Sequence, residues 1–471
     1  MTILGATTPS TSTLLTPLKR LLICNRNEIA VRIARAAKKQ GIETIGVYST
    51  SDKDAMYLRH MDHKVHIGND IERYDPNPSA QEKSKAKNHK EGGFVKPYLD
   101  VRRIVDAAIV SNADAVHPGY GFLSENAHLA ESLANHNIQF VGPPYAAIKA
   151  MGNKIESKII AKSAGVNLIP GFLGEITSLE HAKSVANEIS YPVMIKAANG
   201  GGGKGMRIAR NDKECEEYYR LCKSEAQNAF GDDSLLVEKF VEKPRHVEIQ
   251  LLADKHGNVV HFPERECSMQ RRNQKVIEES PSPLLDDALR REMGSQAVAL
   301  AKRVGYESAG TVEFLVSGVD RSFFFLEMNT RLQVEHPITE AVSGVDLAEW
   351  MLRIARGEKL DLDQDALMQN IYGHAFEARV YAEDAYRGFF PCNGTIRAYH
   401  EPKELTLQEE EELDTGGDFV EGSETPSQSA KDKALDEHTA DPTLNFSKSG
   451  VRVDSGVEDC STIGIHYDPL L

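Results

Sequence analysis

Phe323-Phe324-Phe325-Leu326-Glu327-Met328-Asn329-Thr330-Arg331-Leu332-Gln333-Val334-Glu335-His336-Pro337 is an apolar, strand-forming run that passes into polar residues spaced by two. Alternate side chains of an extended chain share a face. Glu327, Asn329, Arg331, Gln333 and Glu335 are therefore expected in a row along one strand edge. Glu327 and Glu335 would then stand roughly 26 Å apart, at about 3.3 Å per residue. Even with a bend in the chain, two subsites are expected. Glu327 and Asn329 offer oxygen ligands suited to Mg²⁺. Arg331, Gln333 and Glu335 offer a cation, an amide and a base, which suit a small oxyanion.

The preceding residues lean the same way. Thr311 to Val316 reads as a strand and Ser317-Gly318-Val319-Asp320-Arg321 as a hairpin turn. A three-residue loop centred on Asp320 sets Glu313 opposite Glu327. Carboxylates facing each other across a strand pair repel, so a cation between them is the economical explanation; the alternative is that one faces solvent or pairs with a basic residue.

Outward from this strand, the composition bounds the function. A chain of 471 residues has room for two or three domains, and its net charge of -15 argues against nucleic acid as a partner, because phosphate binding wants a basic surface. No uncharged apolar run approaches the roughly 18 residues of a membrane span, so no membrane association is expected. Six cysteines, Cys24, Cys215, Cys222, Cys267, Cys392 and Cys460, lack zinc-like or redox spacing and read as reduced thiols. Residues 1–18 are rich in Thr and Ser and carry no acid, in the manner of a transit peptide, although the Arg-rich amphipathic pattern is missing. The mitochondrial matrix is the compartment expected, with cytoplasm and plastid as alternatives.

From its start the chain reads as α/β. Arg20 to Cys24, a helix from Ile29 to about Gln40, and Glu43 to Tyr48 form a βαβ unit. Asp114-Ala115-Val116 leads into the turn His117-Pro118-Gly119-Tyr120-Gly121, where open α/β sheets place ligands. The segment 72–96, with Lys83, Lys85, Lys87, Lys90 and Lys96, reads as a solvated loop. Tyr191 to Ala197 is a strand, followed by Gly200-Gly201-Gly202-Gly203-Lys204-Gly205 and a second strand, Met206 to Ala209. No helix follows, so this is no dinucleotide fingerprint; with Gly205 after Lys204 it is no P-loop either. It is expected to be a hairpin whose bare amides close over phosphates. Lys196 and Lys154 are expected to reach the same phosphates, and Glu238, in the strand Leu235 to Phe240, to accept from the amino group of a base. Glu264 to Lys275 reads as a basic, polar loop able to hold anions.

Lys154, the glycine hairpin, the His246 strand, the Lys275 loop, and Glu313 with the Glu327 to Glu335 strand occur in an order that resembles the biotin carboxylase component of biotin-dependent carboxylases, an ATP-grasp family. Met151 to Phe172, Tyr191 to Ala209 and Phe230 to Gln250 are most similar to the α subunits of propionyl-CoA carboxylases, with 3-methylcrotonyl-CoA and acetyl-CoA carboxylase components as alternatives. The resemblance implies a Rossmann-like N-terminal domain at 19–150, an ATP-grasp lid at 151–240, and at 241–471 the ATP-grasp core with a C-terminal lobe. It implies that ATP is bound by Lys154, Lys196, Gly201, Gly202, Gly203, Met206, Glu238, Lys239 and His246. Two Mg²⁺ or Mn²⁺ ions would be held by Glu313, Glu327 and Asn329, and bicarbonate by Lys275, Arg331, Gln333 and Val334. Glu335 would be the base that deprotonates bicarbonate for attack on the γ-phosphate, giving carboxyphosphate. Arg379 would stabilise the biotin enolate oxygen. Implied partners are a biotin carrier, a carboxyltransferase β subunit and a second copy of the chain. Two departures stand out. Residues 403–448, with Glu409 to Glu412, interrupt a short link of the family and read as a disordered acidic insertion. The chain stops at Leu471 without the Met-Lys-Met of a biotin carrier, so biotin is expected on another chain or on a missing part, and the C-terminal lobe is expected to be incomplete. Another ATP-grasp carboxylate-amine ligase and an inactive fragment are the competing readings.

Overall fold

In the computed structural model the described residues are 15–70, 72–73, 94–198, 206–402 and 450–463. The segment 74–93, the glycine run 199–205, the whole acidic insertion 403–448 and the ends of the chain lie outside them.

The N-terminal α/β reading holds. β1 (Arg20–Ile23), α1 (Asn27–Lys39) and β2 (Glu43–Tyr48) form the expected unit, and β3 (His63–His66) extends it. After a short ribbon of β4 (Glu72–Arg73) and β5 (Phe94–Val95) come α2 (Val101–Val110), β6 (Ala115–His117), α3 (Ala127–Ala134) and β7 (Gln139–Phe140). The five-stranded parallel sheet runs β3-β2-β1-β6-β7. Leu21 and Ile23 of β1 pack with α1 on one face, while Leu22 packs with Ile104, Val105 and Leu129 of α2 and α3 on the other, which makes the sheet doubly wound. Strand order reverses between β1 and β6. There Asn25 Nδ2 donates to the carbonyls of Pro118 (2.8 Å) and Tyr120 (2.7 Å), fixing the His117 to Gly121 turn at the switch point.

α4 (Tyr145–Gly152) and α5 (Lys154–Ser163) follow; α5 is capped by the Asn153 side chain, which accepts from the amides of Ile155 and Glu156. The sequence reading places most of α4 with the N-terminal domain and α5 with the lid, yet both helices pack against the large sheet described below: Met151, Ala161 and Val166 share a core with Phe314, Phe325 and Met328. The lid sheet is a separate three-stranded antiparallel layer, β8 (Val193–Ala197), β9 (Met206–Ala209) and β10 (Leu235–Lys239) in the order β10-β8-β9, covered by α6 (Leu179–Ile189) and α7 (Asp212–Phe230).

The large sheet contains β11 (Pro244–Ala253), β12 (Val259–His261), β13 (Arg265–Arg271), β14 (Gln274–Ser280), β15 (Ser308–Ser317), β16 (Phe323–Asn329) and β17 (Ala375–Ala378), in the order β16-β15-β11-β13-β14-β17 with β12 on β11. α8 (Asp287–Arg303), α9 (His336–Ser343) and α10 (Leu347–Arg356) complete it. Two sequence expectations change here. Glu264 to Lys275 is a hairpin, not a loop: Arg271 pairs with Gln274, and Arg272 and Asn273 hold φ of 53° and 65°, as a two-residue turn with both central residues left-handed requires. Glu313 does face Glu327, but by compensation. Val316 pairs with Phe323 one register short of the expected loop, and a bulge at Leu326 restores the pairing. Among the described residues, no helix is long and apolar enough to cross a membrane, and all six cysteines are free.

Candidate active site

The row of five polar groups is not an extended edge. β16 ends at Asn329, the chain turns, and Glu335 stands at the N-cap of α9 with Pro337 in that helix's first turn. The turn folds Gln333 and Glu335 back onto β15, so the two expected subsites merge into one network. Its hub is Glu313, whose Oε1 accepts from Asn329 Nδ2 (2.7 Å), Gln333 Nε2 (2.9 Å) and Lys275 Nζ (3.0 Å). Lys275 also donates to Glu335 Oε1 (2.6 Å) and to Glu248. Arg379 donates from Nη2 to Glu335 Oε2 (3.0 Å) and from Nε to Glu278 Oε1 (2.7 Å). Glu335, Glu313 and Gln333 are buried.

The electrostatics follow from these contacts. Burial pushes the Glu335 carboxyl up, but Lys275, Arg379 and Arg265 together overcome that and the neighbouring Glu248, so it lies below the usual range. Against the cost of burial, Glu313 and Glu248 hold His246 protonated, with a pKa raised to about 9. Glu327 behaves in the opposite way. Burial first, then the facing Glu313, raises its carboxyl, with Lys154 as the opposing cation. A half-buried carboxylate raised by another carboxylate across the ladder, with Asn329 two residues on, fits a divalent cation.

Arg331 reaches this region from the other side. Its Nη2 donates to Asn329 Oδ1 (3.0 Å), and its Nε to Glu125 Oε2 (3.0 Å) of the N-terminal domain. Val334 is half-buried, and its carbonyl faces His336 Nδ1 at 3.2 Å.

A second cluster lies between the lid and α5. Lys196 Nζ is 2.6 Å from Glu238 Oε2, and Lys158 pairs with the same carboxylate. Burial, then Lys154, brings Lys196 down to about 8; Lys158 is lowered by burial and then by Lys196. Three lysines around one buried carboxylate leave excess positive charge, the character of an anion site. Gly171 closes against Glu238: a Cβ there would lie 2.8 Å from the Val237 carbonyl and 3.0 Å from Glu238 Cγ. Met206 enters β9 opposite Lys196. Lys239 is not part of this cluster, because alternation along β10 turns it the other way and its Nζ donates to the carbonyls of Ser190 (2.9 Å) and Tyr191 (3.1 Å). Gly201, Gly202 and Gly203 lie outside the described residues.

Several members were not singled out in the sequence. Arg265 is wholly buried and donates to Glu248 Oε1 (2.6 Å), Gln250, Thr339, Thr311 and Gln333. Glu248, Glu278, Lys158 and Glu125 complete the shell. The signals for two of them were present: His246, Glu248 and Gln250 alternate on one strand face, and Lys158 stands four residues after Lys154 on a helix.

Comparison with known proteins agrees with this geometry. Residues 17–148 match the family described as biotin carboxylase, N-terminal domain, and residues 153–363 match carbamoyl-phosphate synthase L chain, ATP binding domain. The chain is 48% identical over 455 residues to the propionyl-CoA carboxylase alpha chain of Ruegeria pomeroyi, covering 96% of this chain and 59% of that one. It is 46% identical over 453 residues to the mitochondrial propionyl-CoA carboxylase alpha chain of Homo sapiens, covering 96% and 53%. It thus spans little more than half the length of these relatives. Among solved structures, the biotin carboxylase domain dimer of Hydrogenobacter thermophilus 2-oxoglutarate carboxylase, in complex with MgADP, ADP and bicarbonate, matches with a TM-score of 0.77 at 38% identity, over 96% of this chain and 85% of that chain. On sequence and fold alike, the chain belongs to the biotin carboxylase family of ATP-grasp ligases.

Proposed function

We propose that this chain carboxylates biotin with ATP and bicarbonate, as the biotin carboxylase part of an acyl-CoA carboxylase of the propionyl-CoA type. The observation that carries the reading is Glu335 buried between Lys275 (2.6 Å) and Arg379 (3.0 Å). It is a carboxylate kept ionised beside two cations that can turn to an anionic substrate. Such a base is ready but weak. When Lys275 turns to bound bicarbonate, its hold on Glu335 relaxes and the base strengthens toward the range where proton transfer is efficient. Arg331, Gln333 and Val334 orient the same anion, Glu335 takes its proton, and Arg379 donates to the oxygen on which negative charge develops in biotin.

Lys154, Lys196, Met206, Glu238 and His246, with Gly201 to Gly203, would surround ATP, Lys239 contributing only through its backbone. Glu313, Glu327 and Asn329 would hold Mg²⁺ or Mn²⁺, which neutralises phosphate charge during phosphoryl transfer. The N-terminal unit would span 19–150, with the lid running from Pro170 to Lys239 and the core from residue 241 onward. The lid assignment rests on the Pro170 carbonyl accepting from the Lys239 amide, and on α4 and α5 packing with the core. A biotin carrier domain or protein, a carboxyltransferase β subunit and a second copy of the chain complete the assembly in this reading, and the mitochondrial matrix is its compartment.

The test is ADP release with and without bicarbonate and free biotin. Turnover should require bicarbonate and rise with biotin; turnover indifferent to bicarbonate overturns the reading. Reconstitution with a carboxyltransferase subunit and comparison of propionyl-CoA, 3-methylcrotonyl-CoA and acetyl-CoA decides the acyl group, and import into isolated mitochondria decides the compartment.

A further inference from the structure

Glu278 of β14 lies directly opposite Glu377 of β17. Opposed residues carry their Cβ atoms about 4.5–5.5 Å apart, and Arg379, two residues beyond Glu377, shares their face. Glu278 Oε1 accepts from Arg379 Nε, but Glu278 Oε2 and Glu377 Oε2 are sealed from solvent with no hydrogen-bond partner among the described residues. Glu278 is fully buried. The local charges do not balance. Three carboxyl groups, Glu278, Glu335 and Glu377, face the single Arg379 guanidinium, and Lys275 reaches only Glu335 of the three. Two adjacent carboxylates, Glu278 wholly buried and Glu377 half-buried with its Oε2 sealed, strongly disfavour joint ionisation beside one cation.

We propose that Glu278 and Glu377 share one proton between their unpartnered Oε2 atoms, and that this singly charged pair is the positioning device for Arg379. The proton is held on one oxygen and accepted by the other, so the pair presents one negative charge to the guanidinium and leaves its Nη2 directed at Glu335. In support, burial raises Glu278 to about 7 against the pull of Arg379, while burial, Glu278 and Glu335 raise Glu377 well above the usual range. The other titratable groups facing the pair are Tyr381, Glu335 at the start of α9, Glu248 of β11, Tyr120 of the N-terminal domain and Asp454 of the C-terminal segment. Farther along α9, Glu340 is held by Arg32 and Arg452. As pH rises the shared proton is lost, a second negative charge falls on Arg379, and its hold on an oxyanion weakens. That kinetic consequence rests on the biotin-carboxylating reading; the shared proton does not.

The test has two arms. Infrared spectra of the full chain with ¹³C-labelled glutamate, near neutral pH, should show a carboxylic-acid absorption of one equivalent that, by wild-type-minus-variant difference spectra, is lost from both Glu278→Gln and Glu377→Gln and survives in Glu335→Gln, whatever other glutamates such as Glu327 contribute to the band. Persistence in both variants overturns the shared proton, as does its absence from the wild type, which is the result expected if a cation bridged the pair. In the second arm, biotin-stimulated turnover of the wild type should fall at alkaline pH, and Glu377→Gln, which retains a donor without a titrating proton, should lose that limb. An unchanged limb in Glu377→Gln overturns the positioning role. A wild type without bicarbonate-dependent turnover overturns the functional reading instead and leaves the infrared arm to decide the pair.

Discussion

Replacing Glu335 with Gln separates the base from everything else at the site. The amide keeps the shape and removes one charge. Lys275 would retain Glu248 and Glu313, and Arg379 would retain Glu278. Breaking a buried ion pair usually costs about 3–5 kcal/mol because a charge is stranded. Here neither cation is stranded, and one carboxylate is removed from an acid-rich cluster, so the stability loss should fall well below that range. The cluster of Lys196, Lys158 and Glu238, proposed to bind the nucleotide, has no contact with Glu335 among the described residues, so ADP affinity should stay within about threefold, or ~0.7 kcal/mol. Loss of a general base lowers turnover by roughly 10²–10⁴-fold, about 2.7–5.4 kcal/mol of barrier. Calorimetric titration with ADP and a coupled assay of bicarbonate-dependent ADP release, run on one preparation, measure the two separately. Turnover within tenfold of wild type refutes the base assignment. A loss of ADP affinity beyond tenfold refutes the separation of the two clusters.

Other expectations follow from neighbouring residues. Arg265→Met leaves Glu248 to Lys275 alone and removes the donor shared by the buried Gln250, Thr311, Thr339 and Gln333, at about 1–3 kcal/mol for each buried group left unsatisfied, so denaturant unfolding should show a loss of several kcal/mol. Glu327→Gln relieves the repulsion with Glu313, so the protein free of divalent cation should melt higher while its thermal upshift with Mn²⁺ shrinks; an unchanged Mn²⁺ upshift removes Glu327 from the metal set. Arg32 and Arg452 hold the buried Glu340 carboxyl down to about 2 from an ordinary 4.5. A carboxyl lowered on folding contributes stability above its unfolded pKa and loses it as pH falls through the folded value. The gap between wild type and Glu340→Gln, about 3 kcal/mol at neutral pH, should therefore be flat above about pH 5 and close between there and pH 2. A gap that widens on acidification contradicts the sign.

Much of this was legible before the fold was known, and the misses have physical causes. The strand pair carrying Glu313 and Glu327 followed from an apolar run, a turn and period-two spacing, although the facing pair is reached by a shorter register and a bulge that local sequence does not announce. The five-residue row failed because Pro337 marks a helix start, and a helix start ends the strand before Glu335. Had that signal outweighed the alternation, the convergence on Glu313 would have been expected. Asn273 sits in the turn between β13 and β14, where its left-handed backbone suits asparagine. Arg265 and Glu278 were beyond reach. A surface ion pair is the ordinary role of a charge in a polar hairpin, and only long-range partners such as Thr311, Gln333 and Arg379 reveal these two as buried.

α9 explains how a base on a turn can be held to a fixed position. Glu335 occupies the N-cap position, its side chain turned to Lys275 and Arg379 and not to the helix amides, and Glu340 lies five residues on, about 7.5 Å along the axis. At one end Lys275 and Arg379, from neighbouring strands of the large sheet, fix the carboxylate. At the other, Glu340 is clamped by Arg32 of α1 at 2.8 Å and Arg452 of the C-terminal segment at 2.7 Å, while Arg32 also holds Asp346 beside α10. The helix is thus a short rigid bar pinned by ion pairs from the N-terminal domain, the large sheet and the C-terminal segment. These contacts are close, hydrogen-bonded ion pairs whose strength depends on distance and angle, so the placing of all three bodies bears on the pairing at Glu335. The position of the Glu335 carboxylate is therefore set in part by distant parts of the chain, which local sequence around Glu335 alone does not encode.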